Sequence, residues 1–209
     1  MYIAIEGVIG VGKTTLARLL QDRFEAELLL EVFEENPFLS KFYEDRARYA
    51  FQTQIFFLLS RYHQQREGVA GIVGAGRSLI ADYTFAKDAL FASINLQGDE
   101  LDMYYNVHEA LAEKIPLPDL IVYLRAGTDV LMDRIATRDR PYERNMERAY
   151  IATLNDAYEE FFEDFYRGVP VLRLDTDQRN IVTTDADRAF AEQAIRDALA
   201  ESPRQSELL

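Results

Sequence analysis

Residues Gly7 to Thr14 read Gly-Val-Ile-Gly-Val-Gly-Lys-Thr. This is the phosphate-cradling spacing G-x-x-x-x-G-K-[ST]. Glycines at those places let the backbone N–H groups of Gly7, Val8, Ile9, Gly10, Val11 and Gly12 turn toward phosphate oxygens. Lys13 is placed to reach the β/γ-phosphates of a nucleoside triphosphate, and the Thr14 hydroxyl to bind Mg²⁺. A chance match would lack the flanking elements. Here an apolar run, Tyr2–Ile5, precedes the motif, and a helical-period run from Lys13 to Phe24 follows it. The motif implies nucleotide binding and leaves the use of the nucleotide open.

The second chemical signal is arginine. Arg134, Arg138, Arg140 and Arg144 crowd one segment of a chain with 23 Lys+Arg against 36 Asp+Glu, a net charge of −13. Arg134 and Arg138 share a helix face by their i,i+4 spacing. Pro141 disfavours helix at Arg140, so the chain is expected to break there. A helix end, a loop and a second helix make a lid of about residues 137–145, able to bring guanidiniums onto phosphates and exclude water. Asp133, Asp139, Glu143 and Glu147 alternate with these arginines, so a solvated salt-bridged helix is the plainer alternative. The phosphate loop in the same chain favours the lid.

The elements that must position these residues alternate. Buried-strand runs are expected at Tyr2–Ile5, Leu28–Val32, Ser78–Asp82, Leu120–Leu124 and Val169–Leu174. Helices are expected over Lys13–Phe24, Pro37–Gly68 (as two), Phe85–Asn95, Glu100–Lys114, Val130–Thr137, Glu143–Tyr166 and Asp185–Ala200. Such alternation argues for an α/β fold, a five-stranded parallel sheet flanked by helices, built as a single domain over residues 1–209. Ligands of parallel sheets bind at the carboxyl ends of the strands. That rule places Glu6–Gly12, Glu31–Glu34 and Asp82–Phe85 in one neighbourhood. The run Ile55–Leu59 is apolar all round, so that stretch of helix is expected to be buried on most sides. Gln54 and Arg61 lie seven residues apart beside it and share a face. Tyr150, Leu154, Tyr158, Phe161 and Phe165 also recur at helical spacing, as core or as interface.

Composition narrows the partners. The acidic balance repels nucleic acid and anionic membrane, so neither is an expected partner and a small substrate is favoured. There are no cysteines, which removes disulfides, thiolate metal sites and Cys nucleophiles and fits a cytoplasmic protein. No apolar run approaches a membrane span and no leader pattern is visible. Residues 201–209 are polar, contain Pro203 and are expected to fray. His63 and His108 are too isolated to suggest a metal site.

These residues carry a family resemblance. The segments are Ile5-Glu6-Gly7 through Thr15, Glu31 through Leu39, Lys41-Phe-Tyr43, Phe51 through Arg61, Ile80 through Tyr83 with Lys87 to Ala92, and Tyr123 through Arg140. In that order they resemble the deoxynucleoside kinase family, and within it the bacterial deoxyguanosine/deoxyadenosine kinases. The resemblance implies a P-loop kinase fold, ATP and Mg²⁺, and transfer to the 5′-hydroxyl of a 2′-deoxynucleoside. It implies an ATP site from the loop through Thr15 together with Arg134, Arg138 and Arg140, with Arg134 and Lys13 also catalytic. Glu31 matches the glutamate near the 5′-hydroxyl, with Glu34 and Glu35 as near rivals in sequence. An alcohol is a poor nucleophile, so a carboxylate that accepts its proton suits the reaction. Asp82 is expected as a metal carboxylate or a rival proton acceptor.

On the substrate side, Tyr43 and Glu143 match the pair that binds the sugar 3′-hydroxyl. Gln54 matches the base reader, and its amide pairs most simply with adenine or cytosine. Asp88 is the candidate partner of Arg61 over the base, and Lys87, one residue away, competes. Phe56, Phe57 and Phe85 are candidate walls for the base. Many members carry Glu/Asp-Arg-Ser after the third strand. This chain has Asp82-Tyr83-Thr84, and Arg77 precedes the strand, at its wrong end.

Deoxyadenosine is therefore the leading substrate, followed by deoxyguanosine or deoxycytidine. A homodimer is expected, a heteromer with a sister subunit being the alternative. The rival functions are a thymidylate-type nucleoside-monophosphate kinase, which needs a cation near Tyr83 for a second phosphate, and a non-enzymatic ATP-sensing subunit.

Overall fold

The computed structural model describes residues 1–165, 169–181 and 183–201. Five strands form one parallel sheet in the order β2-β3-β1-β4-β5. They are β1 (Tyr2–Glu6), β2 (Ala26–Leu29), β3 (Ser78–Ala81), β4 (Leu120–Arg125) and β5 (Val171–Asp175). The helices are α1 (Lys13–Gln21), α2 (Leu39–Glu44), α3 (Arg46–Gly74), α4 (Lys87–Asn95), α5 (Gly98–Ala112), α6 (Thr128–Arg138), α7 (Arg148–Glu160) and α8 (Asp185–Ala200). The two-sided cover explains why the strands are continuous apolar runs. Every residue of β1 is buried, as is all of β4 except Arg125.

The expected elements all form, with shifted ends. The second strand stops at Leu29, two residues before Glu31, so Glu31 lies in the loop beyond it and does not end the strand. The Leu30 carbonyl is taken instead by the Gln64 side chain of α3, at 2.7 Å. A 3₁₀ turn over Phe33–Glu35 follows and leaves Glu35 exposed. The side chain of Glu34 lies outside the described set. β5 begins after Pro170, which has no N–H for the ladder, although its carbonyl still accepts from Ile121 at 3.0 Å. The helix pair expected from Pro37 divides at Asp45, whose carboxylate caps α3 by accepting from the Arg48 amide. The helix expected from Glu143 starts only at Arg148, because Pro141 opens a separate 3₁₀ turn over Pro141–Glu143.

Three packing expectations are corrected or closed. The apolar run on α3 is covered on most sides, as expected, with Leu59 turned outward at 44% exposure and Leu58 fully covered. On α7, Tyr150, Leu154 and Tyr158 are buried within this one chain, so core packing accounts for that part of the stripe. The tail expected to fray lies, beyond Glu201, outside the described residues.

The phosphate loop follows the central strand, and its glycines are structural necessities. Gly7 has φ +142°, and a Cβ there would sit 2.4 Å from the Leu124 carbonyl of β4. Gly12 caps α1 at φ +106°. Both backbones lie where an L side chain is strained. Replacing Gly7 by Ala is therefore expected to destabilise the fold by about 2–4 kcal/mol, from overpacking and strain together. Urea denaturation measures it, and an unchanged midpoint contradicts it.

Candidate active site

The strand ends converge through side chains that the sequence separates widely. Glu6 ends β1 with its carboxylate completely buried. It accepts from the Gly7 amide at 3.2 Å, the Thr84 amide at 2.6 Å, the Thr84 hydroxyl at 2.9 Å and the Tyr158 hydroxyl at 3.2 Å. Asp82, just past β3, accepts from the Glu31 amide at 2.8 Å and from the Thr14 hydroxyl at 2.5 Å. The expected meeting of three strand-end segments is thus built from hydrogen bonds.

A cavity of about 390 Å³ opens over this junction. Lys13, Thr14, Glu31 and Asp82 lie on its floor side, with Tyr43, Phe57 and Arg61 from α2 and α3 and Arg138, Arg140 and Glu143 from the lid. Glu31 is held on both oxygens. The Arg61 Nε donates to Oε1 at 2.8 Å and Lys87 Nζ to Oε2 at 2.7 Å. Arg61 also pairs with the buried Asp88. Arg61 and Lys87 hold the Glu31 carboxyl well below the usual carboxylate range, overcoming the opposing effect of burial.

Gln54 is buried on the same α3 face as Phe57 and Arg61, and its Oε1 has no hydrogen-bond partner. The second oxygen of Asp88 is likewise unpartnered. Buried polar atoms left this way are able to take a polar ligand, but neither Gln54 nor Asp88 is in the lining of this cavity. Phe57 lines the cavity with the Arg61 guanidinium over its ring, whereas Phe85 stacks on His108 and Phe56 is not in the lining.

The helix end, turn and second helix expected of the lid segment form, with its arginines divided. Arg138 makes a forked contact to the buried Glu143, with Nη2 at 2.6 Å and Nε at 3.1 Å from Oε2. Arg140 lies over the Phe33 ring and 3.7 Å from Glu143. Arg144 points away and pairs with Asp139 on the surface. Tyr43 stacks on Tyr142 of the lid, at 6.3 Å between centroids. Tyr43 and Glu143 face the same cavity.

Arg134 turns elsewhere. It donates to the Val11 carbonyl at 3.2 Å and to Thr176 at 2.9 and 2.7 Å. It lines a second cavity of about 730 Å³ behind the phosphate loop. Gly10, Gly12, Thr15 and Arg138 border both cavities, so the loop is the partition between them. The wall supplied by residues 176–181 was not anticipated, since those residues show no motif.

Sequence reasoning weighed Lys87 only as a competitor for Arg61. It is instead a buried partner of Glu31. Arg77 pairs with Glu27 on the surface, confirming that it lies at the wrong end of β3. His108 is packed against Phe85 and Tyr104, and His63 against Tyr62. No cluster of three metal-ligating His, Cys, Asp or Glu side chains occurs among the described residues. No described helix is long and apolar enough to cross a membrane.

A family model for deoxynucleoside kinases matches residues 3–199. The chain belongs to the deoxynucleoside kinase family. It is thus an enzyme that phosphorylates deoxynucleosides with ATP. A deoxyguanosine kinase of Bacillus subtilis is 35% identical, over 89% of this chain and 91% of its own. A deoxyadenosine kinase of Dictyostelium discoideum is 34% identical, over 83% of this chain and 71% of its own. The solved structure of an M. mycoides deoxyadenosine kinase, with products dCMP and a flexible dCDP bound, superposes at TM-score 0.82. It is 25% identical and covers 94% of this chain and 100% of that one.

Burial, and next the neighbouring Lys87, lowers Lys13 to about 8, against the opposing pull of Glu6, Glu31 and Asp82. The protonated form is the one that binds phosphate. The free enzyme therefore loses affinity for the triphosphate as pH rises through about 8. Bound phosphate favours the cation, so the loss belongs to kcat/KM for ATP more than to kcat. A pH profile of kcat/KM for ATP is expected to show that limb, and a flat profile up to the ordinary lysine value of 10.5 contradicts it.

Proposed function

We propose that this kinase transfers the γ-phosphoryl of ATP to the 5′-hydroxyl of a purine deoxynucleoside, deoxyadenosine being preferred. The observation that carries this reading is that Lys13 and Thr14 of the phosphate loop and the carboxylate of Glu31 line one cavity. The donor side lies on the phosphate loop, with the base in the cavity bordered by Arg134 and residues 176–181. The acceptor lies in the first cavity. Gln54 supports an adenine edge, because its free Oε1 is an acceptor for the 6-amino group while its amide nitrogen donates to N1. Relatives named for deoxyguanosine and deoxyadenosine support a purine.

In this account the 5′-hydroxyl donates to Glu31 in competition with Arg61 and Lys87. So low a carboxyl is a weak proton sink at rest. It serves first as an acceptor that aims the hydroxyl. The loose transition state of phosphoryl transfer asks for the proton late, when the new P–O bond has formed. Tyr43 and Glu143 bind the 3′-hydroxyl, and Arg138, tied to Glu143, couples sugar recognition to lid position. Arg140 lies on the same lid and adds positive charge over the phosphates.

Thr14 and Asp82 fit a magnesium ion. They are hard oxygen donors already adjacent at 2.5 Å, and Mg²⁺ needs few protein ligands when phosphates and waters supply the rest. Bound there, the ion neutralises phosphate charge.

A homodimer and a cytoplasmic location complete the reading. Leu59 on α3 and Met103 on α5 supply exposed apolar surface for the dimer. The thymidylate-type and ATP-sensing alternatives have no observation in their favour. Tyr83 is fully buried and donates to Gln64 rather than offering a cation to a second phosphate.

A transfer assay across the four deoxynucleosides tests the proposal, with deoxyadenosine expected to give the highest kcat/KM. Glu31→Gln is expected to lower kcat by roughly 100-fold or more while ATP affinity stays nearly constant. No product from any nucleoside, or full turnover by Glu31→Gln together with loss by Asp82→Asn, overturns the assignment.

A further inference from the structure

Lys87 is an unusual residue to find where it is. It opens α4, where the helix dipole opposes a cation, and it is 5% exposed. A buried ammonium is costly unless it is paired. Apolar packing at this position would need none of that compensation. Its ammonium meets Glu31 Oε2 at 2.7 Å on the wall of the first cavity. Lys13 lines the same cavity, and of the two lysines only Lys13 belongs to the phosphate loop.

We infer that Lys87 exchanges its counter-ion during the reaction, leaving Glu31 for the transferred phosphoryl group. This rests on the proposed transfer to a 5′-hydroxyl. The 5′-oxygen forms a bond to the γ-phosphorus while the bond from that phosphorus to the β,γ-bridging oxygen breaks. The hydroxyl proton passes to Glu31. Protonation cancels the negative charge that held Lys87, just as the new phosphate ester appears in the same cavity. The ammonium then has the dianionic phosphate ester to stabilise in place of the neutralised carboxyl. Lys13 serves the donor phosphates on the loop side, and Lys87 serves the product on the acceptor side.

Lys87→Met and Lys87→Gln remove the charge by different shapes, and Lys87→Arg retains it. With deoxyadenosine and ATP, both neutral variants are expected to lose roughly 100-fold in kcat while KM for deoxyadenosine changes by less than about threefold. Product inhibition by dAMP should weaken about tenfold in both, since a charge-assisted contact is lost. Lys87→Arg should restore at least about tenfold of the lost rate. Melting and ATP-binding measurements correct each rate for folded protein. The inference is overturned if either neutral variant keeps kcat within about threefold, or if dAMP inhibition is unchanged. An inactive wild-type enzyme would instead reject the underlying reading.

Discussion

The buried carboxylate of Glu6 is the contact on which the rest depends. It is fully enclosed, so its charge is tolerable only while its partners stay in place. Those partners come from the phosphate loop, from the loop after β3 and from α7. One carboxylate therefore fixes the relative positions of Gly7, Thr84 and Tyr158. Asp82 repeats the device one step outward, tying the Glu31 amide to Thr14. The strand register brings the backbones to a common rim, and these two carboxylates convert nearness into a defined site.

On that rim, charge is arranged in groups. Glu31, Arg61, Lys87 and Asp88 form a buried network. In the proposed transfer this network lies on the acceptor side and Lys13 on the donor side. Networks of this kind contribute little net stability, because desolvation offsets much of the attraction. Their value here is chemical. They keep a carboxylate ionised and oriented in a cavity that an alcohol and a phosphate must share. The lid adds a separate pair, Arg138 with Glu143, which joins the residue expected at the sugar to one expected at the phosphate.

Much of this was legible in the residues. The loop, the strand alternation and the rim rule led to the segments holding Glu31 and Asp82, the family resemblance singled out Glu31 within its segment, and the seven-residue spacing led to the shared face of Gln54 and Arg61. What was not legible has physical causes. Strand ends were misjudged where a side chain replaced a strand as hydrogen-bond partner, as Gln64 does at Leu30. Lys87 reaches Glu31 from the start of α4, a contact across fifty-six positions that no local pattern marks. The direction of Arg134 depends on Thr176, forty-two positions away in sequence, and no local pattern encodes that contact. Leu59 carries the right hydrophobicity for a core, but helical geometry turns it outward.

The central claim is that Glu31, and not Asp82, meets the acceptor hydroxyl opposite the phosphate loop. A crystal structure of the complex with deoxyadenosine and a non-hydrolysable ATP analogue addresses it directly. The account predicts the 5′-oxygen within about 3 Å of a Glu31 carboxylate oxygen, facing the terminal phosphate held at Lys13. A 5′-oxygen bonded to Asp82, with Glu31 still closed on Arg61 and Lys87, would contradict it.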